Sequence, residues 1–225
     1  MIIIFVSSIP VIIVYIWFRF SKYNISLIRF LFVLLAGAAA FFPALIMQDL
    51  LNFSFATDSR LVLFYHVFIR IAFTEELSRM LMLFIFFYIS ARIANESSEQ
   101  PSWHDVKKGY AAGLVAGLGF AILENAVYAA SNTSILILRT VTAAPLHAAC
   151  GSRVGAAAVM VRSNPIQSFF RLFTAVAIHG IYNFMTAIPG IPSIAAVLIA
   201  ITALTSSIIS IRGNWSSEDS PYQSP

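Results

Sequence analysis

The sequence predicts an all-α integral membrane protein, a polytopic bundle of about seven transmembrane helices, and three observations lead to that fold class. Hydrophobic residues fill 59% of the 225 positions and charged residues only 11%, where a soluble domain carries about a quarter charged residues. The mean hydropathy of +0.84 is gathered into runs close to the roughly 20 residues a helix needs to cross a bilayer. Those runs lack the alternating apolar-out, polar-in pattern of barrel strands, which leaves helices that satisfy their own backbone as the way to span. A water-soluble fold is excluded. A nucleic-acid role is excluded too: the net charge is +4, but the basic residues stand singly between apolar runs and build no patch.

The first run, Ile2 to Phe18, has no basic n-region and no Ala-x-Ala-type cleavage site, so it reads as a retained span. Six more follow, near Phe30 to Met47, Leu61 to Ile89, Gly109 to Ala130, Ile135 to Val161, Ile166 to Ile188 and Ser193 to Ile211. Lys and Arg concentrate in alternate connections: Arg19, Lys22 and Arg29; then Arg92, Lys107 and Lys108; then Arg162 and Arg171; then Arg212. The excess of positive charge on one side predicts that those connections are cytoplasmic, with the N-terminus outside and the C-terminus inside. Residues 1–215 form one membrane domain whose functional core is expected in 61–188, and 216–225, polar and Pro-bearing, read as a disordered tail. The single Cys150 rules out an internal disulfide framework.

Ionisable residues inside these spans need a reason, because each central Asp, Arg or Lys costs about 2.5 to 3.5 kcal/mol on insertion scales. The third span carries Glu75, Glu76 and Arg79, the fourth Glu124 and Asn125, the fifth His147, and the sixth His179 and Asn183. Residues four apart share a helix face, which pairs Glu75 with Arg79, Glu124 with Tyr128, and His179 with Asn183. Glu76, three residues from Arg79, is also within its reach, so Arg79 can neutralise either carboxylate. Counting about 1.5 Å per residue from the span ends brings Glu75, His147 and His179 to similar depth. Close helix approach is also expected there. Gly109, Gly113 and Gly117 repeat every fourth residue, as do Gly151 and Gly155. Pro145 is expected to open the helix just before His147.

Hydrolysis needs a base for water, a group to polarise the carbonyl and a donor for the oxyanion. Glu75 or Glu76 fits the first role, His147 and His179 the second, and the Asn183 amide the third. Zinc commonly takes two His and a carboxylate with one position open, so His147, His179 and Glu76 are a candidate metal set. No His-Glu-x-x-His helix exists here, so the ligands would converge from separate spans. A metal-free mechanism, with water activated by Glu, is equally compatible with these residues.

The ordered set Glu75-Glu76-x-x-Arg79, Gly119-Phe120-Ala121-x-x-Glu124-Asn125-x-x-Tyr128, His147 and His179-x-x-x-Asn183 resembles the PrsW family of bacterial membrane proteases, related to the CAAX prenyl endopeptidases. It covers the third to sixth spans. The resemblance implies a Glu- and His-dependent hydrolase, usually called a metalloprotease. The implied substrates are single-pass or membrane-anchored proteins, of which anti-sigma factors are the best-known class, and the implied place is a bacterial or archaeal plasma membrane. Arg79 stands where Lys is expected as often; it keeps the charge and changes the hydrogen-bond geometry.

Simpler roles exist for each residue. Glu75 and Glu76 can form a structural ion pair with Arg79, and Glu124 can bridge helices with help from Asn125 and Tyr128; Glu75, Glu76, His147, His179 and Asn183 are therefore the expected catalytic set, with Arg79, Glu124, Asn125 and Tyr128 secondary. His66 and His104 lie near span ends, and Cys150 reads as a small packing residue. Arg70, Arg139 and Arg153 have no evident partner in the sequence. An alternative class is a transporter or proton-coupled channel with a Glu/His relay, and another is a non-catalytic membrane binding protein; no internal repeat or paired broken helices support the former.

Overall fold

The structure, a computed structural model, describes residues 2–21, 25–55, 59–93, 103–131, 133–188 and 193–212. Among them all regular structure is helical, and the helices join end to end into seven rods. The rods are α1 (Ile2–Phe20); α2 (Leu27–Ala39) with α3 (Phe41–Leu50); α4 (Arg60–Phe64), a π-helical stretch (Tyr65–Phe73) and α5 (Thr74–Ile93); α6 (Trp103–Ser131); α7 (Thr133–Val141) with α8 (Ala143–Met160); α9 (Pro165–Ala187); and α10 (Ser193–Arg212). The expected 216–225 tail lies outside the described residues.

Two rods are broken, and one rule accounts for both. A proline at position i removes the hydrogen bond to the carbonyl of i−4 and clashes with it. Pro145 therefore breaks the rod at Val141, and the chain turns at Thr142 before α8 begins. Pro43 does the same at Ala39, where α2 ends and Ala40 turns the chain into α3. The first break was expected from the sequence; the second divides what had read as one unbroken span from Phe30 to Met47. In the third rod the π-helical winding leaves carbonyls displaced at the junction with α5. The Thr74 hydroxyl takes up two of them, donating to Arg70 O at 2.7 Å and to Ile71 O at 3.0 Å.

Apolar side chains divide between two environments. Ile12, Ile13, Leu31, Phe32, Leu35, Ile46, Phe169, Phe173, Leu198 and Ile201 point outward on α1, α2, α3, α9 and α10. So much exposed hydrocarbon is a lipid-facing surface rather than a soluble one. Three helical stretches are long and apolar enough to cross a membrane by themselves: Leu27–Leu50, Asp105–Ala130 and Ile194–Arg212. Asp105–Ala130 is 67% buried against 33% and 28% for the other two, and α8 is buried along nearly its whole length, so α6 and α8 lie in the interior and the other rods surround them.

Glycine lets the others reach α6. A Cβ on Gly109 would lie 2.8 Å from Gly155 O, and one on Gly113 would lie 2.8 Å from the carbonyl carbon of Gly151. One on Gly117 would overlap the His147 carbonyl and come within 2.9 Å of Ala148 Cα. As the α6 number rises by four the α8 number falls by four, so the two helices run antiparallel with their backbones in contact. On another side Gly37 meets Ala116 and Gly119 meets Leu34, so α2 is antiparallel to α6 as well. Both expected Gly-x-x-x-Gly stripes are used, and they face each other.

Because Gly117 sets the distance between α6 and the backbone of His147, Gly117→Val is expected to lower stability by about 1–3 kcal/mol or more through overpacking. Reversible denaturation of the detergent-solubilised protein measures this. Ile13→Ala, on the outward face, is expected to change it by under about 0.5 kcal/mol.

Candidate active site

Five rods deliver polar groups to one buried cluster. Glu75, Glu76 and Arg79 come from α5, Glu124 and Asn125 from α6, Arg139 from α7, His147 from α8, His179 from α9 and Gln48 from α3. Glu75, Glu76, Arg79, Glu124, Asn125, His147 and His179 are all buried. A charge so placed survives only with a partner that is itself hydrogen-bonded, and the partners can be followed one by one.

Arg79 is the hub. Its Nη2 binds Glu76 Oε1 directly. Nη1 donates to His147 O at 3.2 Å, Nε donates to Glu75 O at 3.4 Å, and the guanidinium lies over the Phe120 ring, 4.6 Å from its centre. The planar fork thus reaches α5, α6 and α8 at once, which a lysine's single ammonium does not do. Arg79 chooses Glu76 over Glu75, whose nearer oxygen is 3.9 Å away. Glu76 Oε1 also sits 2.7 Å from His179 Nδ1.

Glu75 is left differently. Gln48 Nε2 donates to its Oε1 at 3.1 Å, while Oε2 is buried without a hydrogen-bond partner, 3.8 Å from His179 Nε2. His147 repeats the pattern of His179: its Nε2 is 2.6 Å from Glu124 Oε2, and its Nδ1 is buried with no partner. Each imidazole therefore has one nitrogen on a carboxylate; the other nitrogen of His147 is unpartnered, and that of His179 faces Glu75 Oε2 across 3.8 Å. The rings stand perpendicular with centres 5.0 Å apart. Glu124 Oε2 is in turn 2.5 Å from Arg139 Nη2. Asn125 Oδ1 accepts from Arg139 Nε at 3.0 Å, and the Tyr128 ring lies under that guanidinium at 3.9 Å.

Glu75, His147 and His179 each offer a ligand atom, and the three atoms lie within 4.8 Å of one another. Their chemistry suits a cation on two grounds. Two donor atoms of the set, Glu75 Oε2 and His147 Nδ1, are unsatisfied, and a carboxylate bound to the far nitrogen of each imidazole is the arrangement that orients metal-binding histidines. The cluster also joins three carboxylates, Glu75, Glu76 and Glu124, to two guanidiniums, Arg79 and Arg139. Three negative less two positive charges leave one negative charge, which a bound cation offsets.

The sequence-derived set is thus largely gathered in one place, with changes of partner. The three-residue group contains Glu75 where Glu76 was expected; Glu76 Oε1 is held by Arg79 and His179 Nδ1, while its Oε2 is buried without a hydrogen bond. Asn125 and Tyr128 hold Arg139 rather than assisting Glu124 directly. Asn183 lies one turn beyond His179 on α9, half-buried, and its amide has no hydrogen-bond partner among the described residues. Gln48 and Arg139 were missed as site residues. Gln48 is a polar residue in an apolar run, which is a signal of the same kind as Glu124; Arg139 was noticed only as lacking a partner. The other two arginines find neutral oxygens, Arg70 Nε donating to Gln48 O at 2.9 Å and Arg153 to oxygens of α8 and α10. Cys150 packs in the core and its thiol points at Ala175 O, as a packing residue does. His66 packs edge-on against Phe55, and the His104 side chain lies outside the described residues.

Comparison with known proteins gives one match: a family model described as PrsW family intramembrane metalloprotease matches residues 26–208. No curated protein and no solved structure gives a match.

Removing Arg79 would strand the Glu76 carboxylate without a counter-charge. Arg79→Ala is expected to cost about 3–5 kcal/mol, the usual penalty for breaking a buried ion pair from one side, with Arg79→Lys losing less. Unfolding midpoints in detergent check the order wild type, Lys, Ala.

Proposed function

The chain belongs to the PrsW family of intramembrane metalloproteases, and on that premise we propose that it is an endopeptidase hydrolysing a peptide bond of a membrane-anchored protein within the bilayer. The observation that carries this reading is the approach of one ligand atom each from Glu75, His147 and His179 to within 4.8 Å of one another, with Glu75 Oε2 and His147 Nδ1 free of hydrogen bonds. The seven rods are then seven spans, with the N-terminus outside and the C-terminus in the cytoplasm by the distribution of Lys and Arg. The membrane is the plasma membrane of a bacterium or archaeon, and the substrate a single-pass protein of the anti-sigma-factor kind; both come from the family resemblance.

In this mechanism Glu75 is the base. Gln48 fixes its Oε1, which leaves Oε2 to take a proton from water as the water oxygen adds to the scissile carbonyl carbon. The same proton then passes to the leaving nitrogen as the C–N bond breaks. Asn183 donates its amide N–H to the oxyanion. Glu76 and Glu124 hold the two imidazoles by their outer nitrogens so that the inner ones face the carbonyl, and Arg79 and Arg139 keep those carboxylates charged and in place. His147 Nδ1, His179 Nε2 and Glu75 Oε2 are the atoms that would hold a metal. Two imidazoles and one carboxylate suit zinc, which when bound supplies a Lewis acid for the carbonyl and makes the attacking water more acidic.

The test uses purified protein in liposomes with a tagged single-pass membrane protein, products being identified by mass spectrometry. Glu75→Gln is expected to lower the cleavage rate about 10²–10⁴-fold, the range for loss of a general base. Glu76→Gln and Glu124→Gln, which hold the imidazoles, are expected to lose about 10–100-fold. A chelator is expected to stop cleavage and added zinc to restore it. Cleavage indifferent to Glu75→Gln and Glu76→Gln would defeat the mechanism, whereas indifference to the chelator would remove the metal and leave the base.

A further inference from the structure

Arg153 and Arg171 take no part in the catalytic scheme. Arg153 lies six residues beyond His147 on α8, about 9 Å along the helix, and Arg171 lies eight residues before His179 on α9, about 12 Å in the same direction. Both line a cleft of about 450 Å³ where α6, α8, α9 and α10 meet, a size typical of small-molecule sites, about 300–1,000 Å³. Tyr110, Thr174, Ser206 and Ser210 supply hydroxyls to its wall, and none of the lining residues is acidic. Phe170, Thr174 and Ser206 on its rim are exposed, so it opens sideways through the lipid-facing surface between α9 and α10.

Arg153 contacts only neutral oxygens. Its Nη1 donates to Ser207 Oγ at 2.8 Å, Ala149 O at 2.9 Å and Ala203 O at 3.4 Å, and its Nη2 to Ser206 Oγ at 3.2 Å. Among the described residues no carboxylate forms an ion pair with it. A largely buried guanidinium whose partners are all neutral leaves its charge unbalanced, and an anion in the cleft would offset it. Arg171 stands with it, its guanidinium on the Tyr110 hydroxyl and 5.1 Å from the centre of that ring. Guanidiniums with adjacent hydroxyls make a donor set for a tetrahedral oxyanion.

Depth selects the source of that anion. Arg171 is six residues into α9, about 9 Å from its start, and Ser210 is two residues from the end of α10. The cleft therefore sits one or two turns inside the edge of the bundle that carries Lys107, Lys108, Arg162 and Arg212. That is the headgroup level of the leaflet on the basic side, where anionic lipids bind in basic pockets between helices. We propose that this cleft holds the phosphate of an anionic phospholipid between Arg153 and Arg171, with an acyl chain lying along the outward α9 face that Phe170 and Phe173 cover. The proposal uses only the bundle and its place in a bilayer, so it stands or falls separately from proteolysis.

Native mass spectrometry of the full-length protein, exchanged into nanodiscs of phosphatidylcholine with or without phosphatidylglycerol, reads the site directly. Phosphatidylglycerol is expected to be retained and phosphatidylcholine lost. Arg153→Gln is expected to weaken retention about fivefold, the worth of one basic group near an anionic surface. Ser206→Leu, at an exposed rim position where folding is not at stake, fills the mouth without removing charge and is expected to weaken it at least as much. Arg29→Gln, exposed at the start of α2, removes the same charge elsewhere and is expected to change nothing. Equal retention of both lipids, or undiminished retention in both cleft variants, overturns the proposal. If inorganic phosphate alone, in neutral nanodiscs, raises the melting temperature as much as phosphatidylglycerol does and loses that effect in the cleft variants, the anion is soluble and the lipid assignment is overturned.

Discussion

Charge buried among lipid-facing helices has to be compensated where it stands, since neither water nor a distant counter-ion reaches it at useful strength. The cluster follows from that requirement. Arg79 answers Glu76, Arg139 answers Glu124, and each of those carboxylates also holds an imidazole. Glu75 is the carboxylate without a close counter-charge: an amide binds one oxygen, and the other has no hydrogen bond, with His179 Nε2 at 3.8 Å and Arg79 Nη2 at 3.9 Å. In the proposed mechanism the chemistry gathers at the carboxylate without a close counter-charge, and those held by arginines become its framework. The same reasoning, applied to Arg153, marks a second place where a charge awaits a partner.

Such a network works only if the helices stand close enough for short side chains to meet. Gly113 and Gly117 bring α6 onto the backbone of α8, and the His147 carbonyl that Gly117 accommodates is also the one that accepts from Arg79. Packing and electrostatics therefore share an atom, and a methyl group at Gly117 would disturb both. The proline breaks serve the same end from a different direction. Pro145 lets α7 depart from the line of α8, which places Arg139 beside Glu124, and Thr142 in the break accepts a hydrogen bond from Tyr182 of α9 at 2.9 Å. Pro43 turns α3 so that Gln48 reaches Glu75.

Much of this was legible in the order of residues. Apolar runs of spanning length and the rarity of charge determine a helical membrane bundle, because an unpaired backbone is not tolerated in hydrocarbon. The few ionisable residues inside the runs, Glu75, Glu76, Glu124, His147 and His179, stand out for the same reason, and they do converge. The two glycine stripes announced a close helix pair, and Pro145 announced a break. Each of these signals is local: it depends on a residue's own chemistry and its neighbours at helical spacing.

What the sequence left open was partnership. Spacing on α5 allows Arg79 to bind either Glu75 or Glu76, and only the position of His179 on α9 makes Glu76 the shared one and frees Glu75 for the gap. Arg139 had no visible purpose until α7 folded back against α6. Gln48 stands out as polar in an apolar run, but its partner is decided only where Pro43 bends the rod towards Glu75. Identity and approximate depth are properties of a stretch of chain, whereas hydrogen-bond choice depends on the relative rotation and separation of helices far apart in sequence, and those are set by packing.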